Sequence, residues 1–223
     1  MPKLAVLILS VLLLTPLTAV ADASELSTES PDVENPYAAT YVSRMQAPPN
    51  RQVTAKVYRG KDKVADYQRL LEEGYDLLGY SSFEGGDVPP ELLMQQAQRV
   101  NADVVLVYTK GVQRPQATGV RYEYFSSYWT KLPPPLLGLH VQRDKNADEG
   151  AGGLEVLAVI NDSPAARAGL RQGDILLRLG DATLLNPEQL SSTAQRYAGQ
   201  VVEVVWTRDG ETMRKTLTPG SQP

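Results

Sequence analysis

The chain contains no cysteine and a single histidine, His140. Disulfides, thiolate metal sites and a cysteine nucleophile are excluded together, and so is any metal centre built on several histidines. No cofactor is expected. Nor is there an excess of positive charge: 22 Lys+Arg stand against 26 Asp+Glu, for a formal net charge of -4. That balance argues against a nucleic-acid partner, which needs a cationic face to displace counterions from phosphate. Long apolar runs are confined to one place, Leu4 to Leu14, interrupted only by Ser10. As a helix this run covers only about 16 Å, roughly half of a bilayer core, so it is too short to span a membrane securely.

What remains suits one or two folded domains. The 223 residues are 42% hydrophobic and 22% charged, which is enough apolar material to build a core and too little charge for a disordered chain. The short apolar run follows Lys3 and precedes Pro16 and the small-residue pattern Ala19-Val20-Ala21. This order is that of a secretory signal peptide, residues 1–21, cleaved after Ala21. Export across the inner membrane to the periplasm is the localisation expected, with no stable span after cleavage. Residues 22–50 turn to Ser, Thr, Glu, Pro and Ala and read as a flexible lead-in, with Tyr37 and Tyr41 available to pack onto the adjoining domain.

Residues 51–131 read as a small α/β domain. Val53, Ala55 and Val57 alternate with polar neighbours, as in a strand. Asp62 to Glu73 has helical spacing, with Val64, Tyr67, Leu70 and Leu71 on one face and Gly74 placed to end it. Asp76 to Phe83 resembles a second strand. A second helix opens at Pro89-Pro90-Glu91 and buries Leu93, Ala97 and Val100. Asp103 to Tyr108 is the apolar, β-branched run of a strand covered on both faces. Strand, helix, strand, helix, strand predicts a small parallel sheet with right-handed crossovers. The stretch from Gly79 through Val105 resembles small α/β modules of bacterial envelope proteins. The segment Ser81 to Gly86 would leave the carboxyl end of a strand, where open α/β sheets bind ligands. It is neither a G-x-G-x-x-G fingerprint nor a Walker loop, and reads as a plain connection with Phe83 as a core plug. In residues 121–131, alternation puts Tyr122, Tyr124, Ser126 and Tyr128 on one face and Phe125 and Trp129 on the other, as in a strand that joins a sheet.

Pro133-Pro134-Pro135 is a stiff spacer and a natural boundary. After it, residues 132–220 give strand, strand, short helix, strand, helix and hairpin, a compact, partly open β-barrel with two helices. Ser163 can cap a helix whose first position is Pro164, and Gly169 can end it. Gly173-Asp174 turns into a strand from Ile175 to Leu179. The run Ser163-Pro-Ala, Ala168-Gly-Leu, Gly173-Asp-Ile-Leu resembles a PDZ domain, in the form appended to bacterial envelope proteases of the high-temperature-requirement family.

The resemblance implies peptide capture. Leu137-Gly138-Leu139 matches the family's carboxylate-binding loop, where successive backbone N–H groups converge on a peptide's terminal carboxylate. The strand beginning there, with Leu139, His140 and Val141, would leave one edge open for an added strand. Leu190, Ala194 and Tyr197, at i, i+4 and i+7 of the facing helix, would form an apolar side pocket or fill the core. His140 is expected at an exposed edge position of the binding strand. The helix opens Asn186-Pro187-Glu188 and has no histidine there, so the hydroxyl-seeking selectivity of some family members is not expected. Residues 144–152 are polar and glycine-rich, as in a mobile loop beside the groove.

The sequence thus points to a non-catalytic adaptor or scaffold that binds C-terminal peptides or proteins of the envelope. The alternative is an envelope serine-type protease or a protease-associated regulatory subunit. Against catalysis, no G-x-S-x-G or Gly-Asn-Ser-Gly run occurs, and the residues ahead of the prolines are too few for a double β-barrel.

Overall fold

The computed structural model describes residues 34–38, 41–42, 54–112, 119–144 and 153–220. The expected signal peptide, most of the lead-in, Val53 and the 145–152 loop lie outside the described residues. From Asn35 onward the chain packs as one compact unit that contains two sheets.

The first sheet is built from β1 (Tyr41–Val42), β2 (Lys56–Arg59), β3 (Tyr75–Gly85), β4 (Val104–Val112) and β5 (Arg121–Lys131), in the order β1-β3-β5-β4-β2. Two helices cover it, α1 (Lys63–Glu72) and α2 (Pro90–Arg99). Asp62 caps α1 by accepting from the N–H groups of Val64 and Ala65 at 2.9 and 3.1 Å. Leu70 packs with Val104, Leu106 and Trp129 on one face of the sheet. Leu93 and Ala97 pack with Val105, Tyr124 and Tyr128 on the other. The alternation of Val104, Val105 and Leu106 between the two clusters is the both-faces burial predicted for that run.

The parallel sheet expected from the alternating elements is a correction. β2, β3 and β4 do run the same way, but only β2 and β4 are neighbours in parallel. β5 returns from β4 as an antiparallel partner, Val104 opposite Trp129, and inserts between β4 and β3. Its run of bulky and small side chains pairs with β3 along the whole strand, and that pairing displaces β4 from β3. Three smaller expectations change as well. Residues 81–85 are strand rather than connection, because β5 supplies their partners. Val64 is 81% exposed and does not belong to the buried face of α1. The lead-in is partly structured: Tyr37 is buried edge-on against Phe83 at 4.9 Å, and β1 pairs with β3.

The second sheet follows the prolines. It comprises β6 (Leu139–Arg143), β7 (Leu154–Val159), β8 (Ile175–Leu179), β9 (Ala182–Thr183), β10 (Val202–Arg208) and β11 (Glu211–Leu217), with α3 (Pro164–Ala168) and α4 (Pro187–Arg196). The strand order is β11-β10-β8-β7-β6, with β9 paired to β8. The expected barrel is a second correction. The sheet is not closed, and β6 and β11 are its two ends. Its core gathers Leu154, Val156, Leu176, Leu179, Leu190, Val204 and Trp206. The short helix α3 has the predicted ends: Ser163 Oγ accepts from the N–H of Ala166 at 3.1 Å, and Gly169 is left-handed at φ 87°.

One ion pair locks this core to its turns. Asp174 is 1% exposed, accepts from Arg208 Nε at 2.7 Å and Nη2 at 2.8 Å, and also takes the N–H of Arg171 at 2.8 Å. The same guanidinium donates to the carbonyl of Gly169. Breaking a buried pair from one side leaves an uncompensated charge. Arg208→Ala is therefore expected to destabilise the protein by about 3 kcal/mol, read as a lower urea midpoint. Arg208→Lys should recover part of the loss, since it restores charge without the two-pronged geometry.

Candidate functional site

The carboxyl end of α1 and the start of the second sheet meet through hydrogen bonds. A helix leaves its last carbonyls without partners, and here the carbonyls from Leu71 through the Glu73 cap to Gly74 all accept, that of Leu71 also from Gly74 N–H at 3.0 Å. His140 Nε2 lies 3.1 Å from the carbonyl of Leu71, Asn161 N–H donates to Glu72 at 2.9 Å, and Leu132 N–H donates to Gly74 at 2.9 Å. Lys131 Nζ reaches the carbonyl of Glu73. A carbonyl only accepts, so Nε2 of His140 carries the proton. The seam holds β6 in place and turns its single histidine away from the sheet core.

A cleft of about 560 Å³ opens along β6. One side is α4, with Pro187, Leu190, Ser191 and Ala194. The floor is the chain from Pro133 through Val141, and the far side carries Leu71, Asp76 and Leu132. Leu139 and Val141 pack toward the core of the second sheet, while His140 faces Leu71. Among the described residues, β6 has no strand on its outer edge.

The loop that opens β6 is fixed through its carbonyls. Leu136 C=O accepts from Gly220 at 2.7 Å, Leu137 C=O from Ala165 at 3.0 Å, and Gly138 C=O from Ile160 at 2.9 Å. In a trans peptide the next N–H points opposite to the carbonyl. The N–H groups of Leu137, Gly138 and Leu139 are thus directed away from these partners, in residues that line the cleft. Successive N–H groups so arranged form a small anion-binding concavity. Gly138 has φ 82°, and a Cβ there would lie 2.1 Å from the Cβ of Ser163. The need for glycine arises from the α3 cap behind the loop as much as from approach to a ligand.

The sequence-predicted residues divide accordingly. Leu137, Gly138, Leu139, His140, Val141, Leu190 and Ala194 all line the cleft. Leu190 and Ala194 are also buried in the core, so they serve both surfaces. Tyr197 is not among the residues that line the cleft and packs against the core, the second of its two expected places. It lies past the end of α4 and donates its hydroxyl to Asp181 Oδ1 at 2.9 Å, over the Gly180 turn. At i+7 its direction is set by that hydrogen bond rather than by the helix stripe. His140 departs from expectation too: it is half-buried in the seam rather than exposed. Sequence reasoning missed Pro187 and Ser191, one turn apart on the wall, and missed Leu71 and Asp76 altogether. No local signal marks those two, because they come from the other sheet's elements.

An open sheet edge that starts in a loop of directed N–H groups and faces a helix across an apolar cleft defines a strand-addition module. The C-terminal part of the chain is a PDZ domain, with residues 155–208 matching that family, and it is related to the PDZ domains of HtrA-type proteases. The chain is 29% identical over 102 residues to the mitochondrial serine protease HTRA2 of Bos taurus, covering 46% of this chain and 22% of that protein. It is 36% identical over 69 residues to the magnetosome formation protease MamE of Paramagnetospirillum magneticum, covering 30% and 10% respectively. The chain thus spans about a fifth or less of these relatives. Among solved structures, the HtrA3 PDZ domain bound to a phage-derived ligand aligns with 18% identity and a TM-score of 0.32, over 39% of this chain and 83% of that one.

The seam makes stability depend on pH. Burial pushes the His140 imidazole below its ordinary pKa, opposed by the nearby Asp76 carboxylate and the Leu71 carbonyl. The unfolded chain therefore binds the proton first as pH falls below about 6.5. Stability is expected to be full above that value and to decline through mildly acidic pH. His140→Gln, which can still donate to Leu71, should flatten the decline, measured as urea midpoints between about pH 7.5 and 5.5.

Proposed function

We propose that the protein is an exported, non-catalytic peptide-binding adaptor of the bacterial envelope. It takes free C-termini by adding them as a strand to β6. The terminal carboxylate sits on the N–H groups of Leu137, Gly138 and Leu139, and an apolar last side chain enters between Leu139, Val141, Leu190 and Ala194. The observation that carries this reading is the edge of β6, unpaired among the described residues, beside an apolar cleft, together with a loop in which the carbonyls of Leu136, Leu137 and Gly138 are engaged. Export rests on the order of residues 1–21. The non-catalytic reading is supported by the chain's one histidine, whose Nε2 is held by the carbonyl of Leu71.

Two measurements test this. A labelled peptide with a free, apolar C-terminus should bind the protein, and amidating its terminus should weaken binding at least tenfold, since charge-assisted bonds to the loop are lost. Ser191→Trp should weaken binding comparably without moving the thermal midpoint, because Ser191 is exposed on the cleft wall and outside the core. Gly138 is unsuited to this purpose, as any side chain there collides with the α3 cap. Casein offered to the protein should remain intact, and turnover abolished by a serine-reactive inhibitor would establish the protease alternative instead.

A further inference from the structure

The cleft has a third wall that does not belong to the second sheet. Leu71 at the end of α1 and Asp76 on β3 line it alongside His140. Among the described residues that line the cleft, Asp76 is the one acidic side chain, and none is lysine or arginine. Its Oδ1 accepts from the N–H of Leu77 at 2.7 Å. Among the described residues, no lysine or arginine pairs with it. An apolar cleft with one half-buried carboxylate at its rim is a recognition element for a cation attached to an apolar ligand.

Strand geometry sets where that cation must sit. A peptide added to β6 alternates its side chains between two sides. With the terminal carboxylate on the Leu137–Leu139 loop, the last side chain faces Leu190 and Ala194. The penultimate side chain, and the one two residues further in, face the opposite side, where β6 itself presents His140 toward Leu71. We propose that Asp76 makes this cleft select C-termini that combine an apolar last residue with lysine or arginine at one of those two positions. The inference rests on the peptide-capture reading above and adds a charge requirement to it. It also assigns the first sheet a part in binding, since both Leu71 and Asp76 come from its elements.

The test uses fluorescence anisotropy with the purified protein and free-C-terminus peptides that differ only in one residue. Lysine at the penultimate position or two residues further in should bind about three- to fivefold tighter than alanine there, and glutamate more weakly than alanine. Lysine at the position between them faces the apolar wall of α4 and should weaken binding. Asp76→Asn keeps the bond to Leu77 and should erase the order lysine, alanine, glutamate, so that the three peptides bind alike. High salt should compress the same order. If lysine, alanine and glutamate bind alike at both positions while amidation still weakens binding, the charge requirement is wrong and peptide capture stands. If no peptide binds in either form, both fall.

Discussion

Four carbonyls at the end of one helix organise this molecule. The C-cap turn of α1 supplies one donor from within, Gly74 N–H to the Leu71 carbonyl at 3.0 Å, and the other donors to Leu71, Glu72, Glu73 and Gly74 come from His140, Asn161, Lys131 and Leu132. His140 and Asn161 lie on or beside the second sheet, Lys131 ends β5, and Leu132 follows it. The same bonds that finish the helix therefore set the position of β6. Were the joint absent, the proline stretch alone would leave the two sheets free to vary in mutual orientation.

That joint gives β6 two distinct faces. Leu139 and Val141 turn toward the core and α4, whereas His140 turns toward α1 and Asp76. A strand is normally distinguished by which side is buried and which is wet. Here both sides meet protein, one apolar and one carrying a carboxylate. The edge between them is where backbone groups can pair with another chain. Under the proposed peptide capture, selectivity for side chains on both faces of a bound strand would be a property of the assembled unit.

Much of the local structure was legible. The Ser163 cap, the helix opening at Asn186-Pro187, the left-handed glycines after α1 and α3, and the both-faces burial of Val104, Val105 and Leu106 follow from short-range rules of helix ends and side-chain periodicity. The run from Ser163 to Leu176 was specific enough to identify the PDZ domain, because each residue in it answers a local demand. The placement of β5 was not legible. Alternation said that residues 121–131 form a strand but not which neighbours it takes, and pairing with β3 involves partners tens of residues away in sequence. Of its two expected places, Tyr197 took the core rather than the pocket for a related reason. Its helical spacing fits the stripe, yet the Asp181 carboxylate draws its hydroxyl elsewhere.

The order of amino acids was sufficient for those features whose physics is complete within a few residues: helix starts and stops, strand alternation and the turn at Gly173-Asp174. Features that require two distant segments to meet came only with the folded chain. These are the antiparallel insertion of β5, the capping of α1 by the far side of the proline stretch, and the carboxylate of Asp76 at the rim of the cleft. Hydrogen-bond acceptors at a helix end specify that donors must arrive but not from where, and only three-dimensional packing supplies that choice.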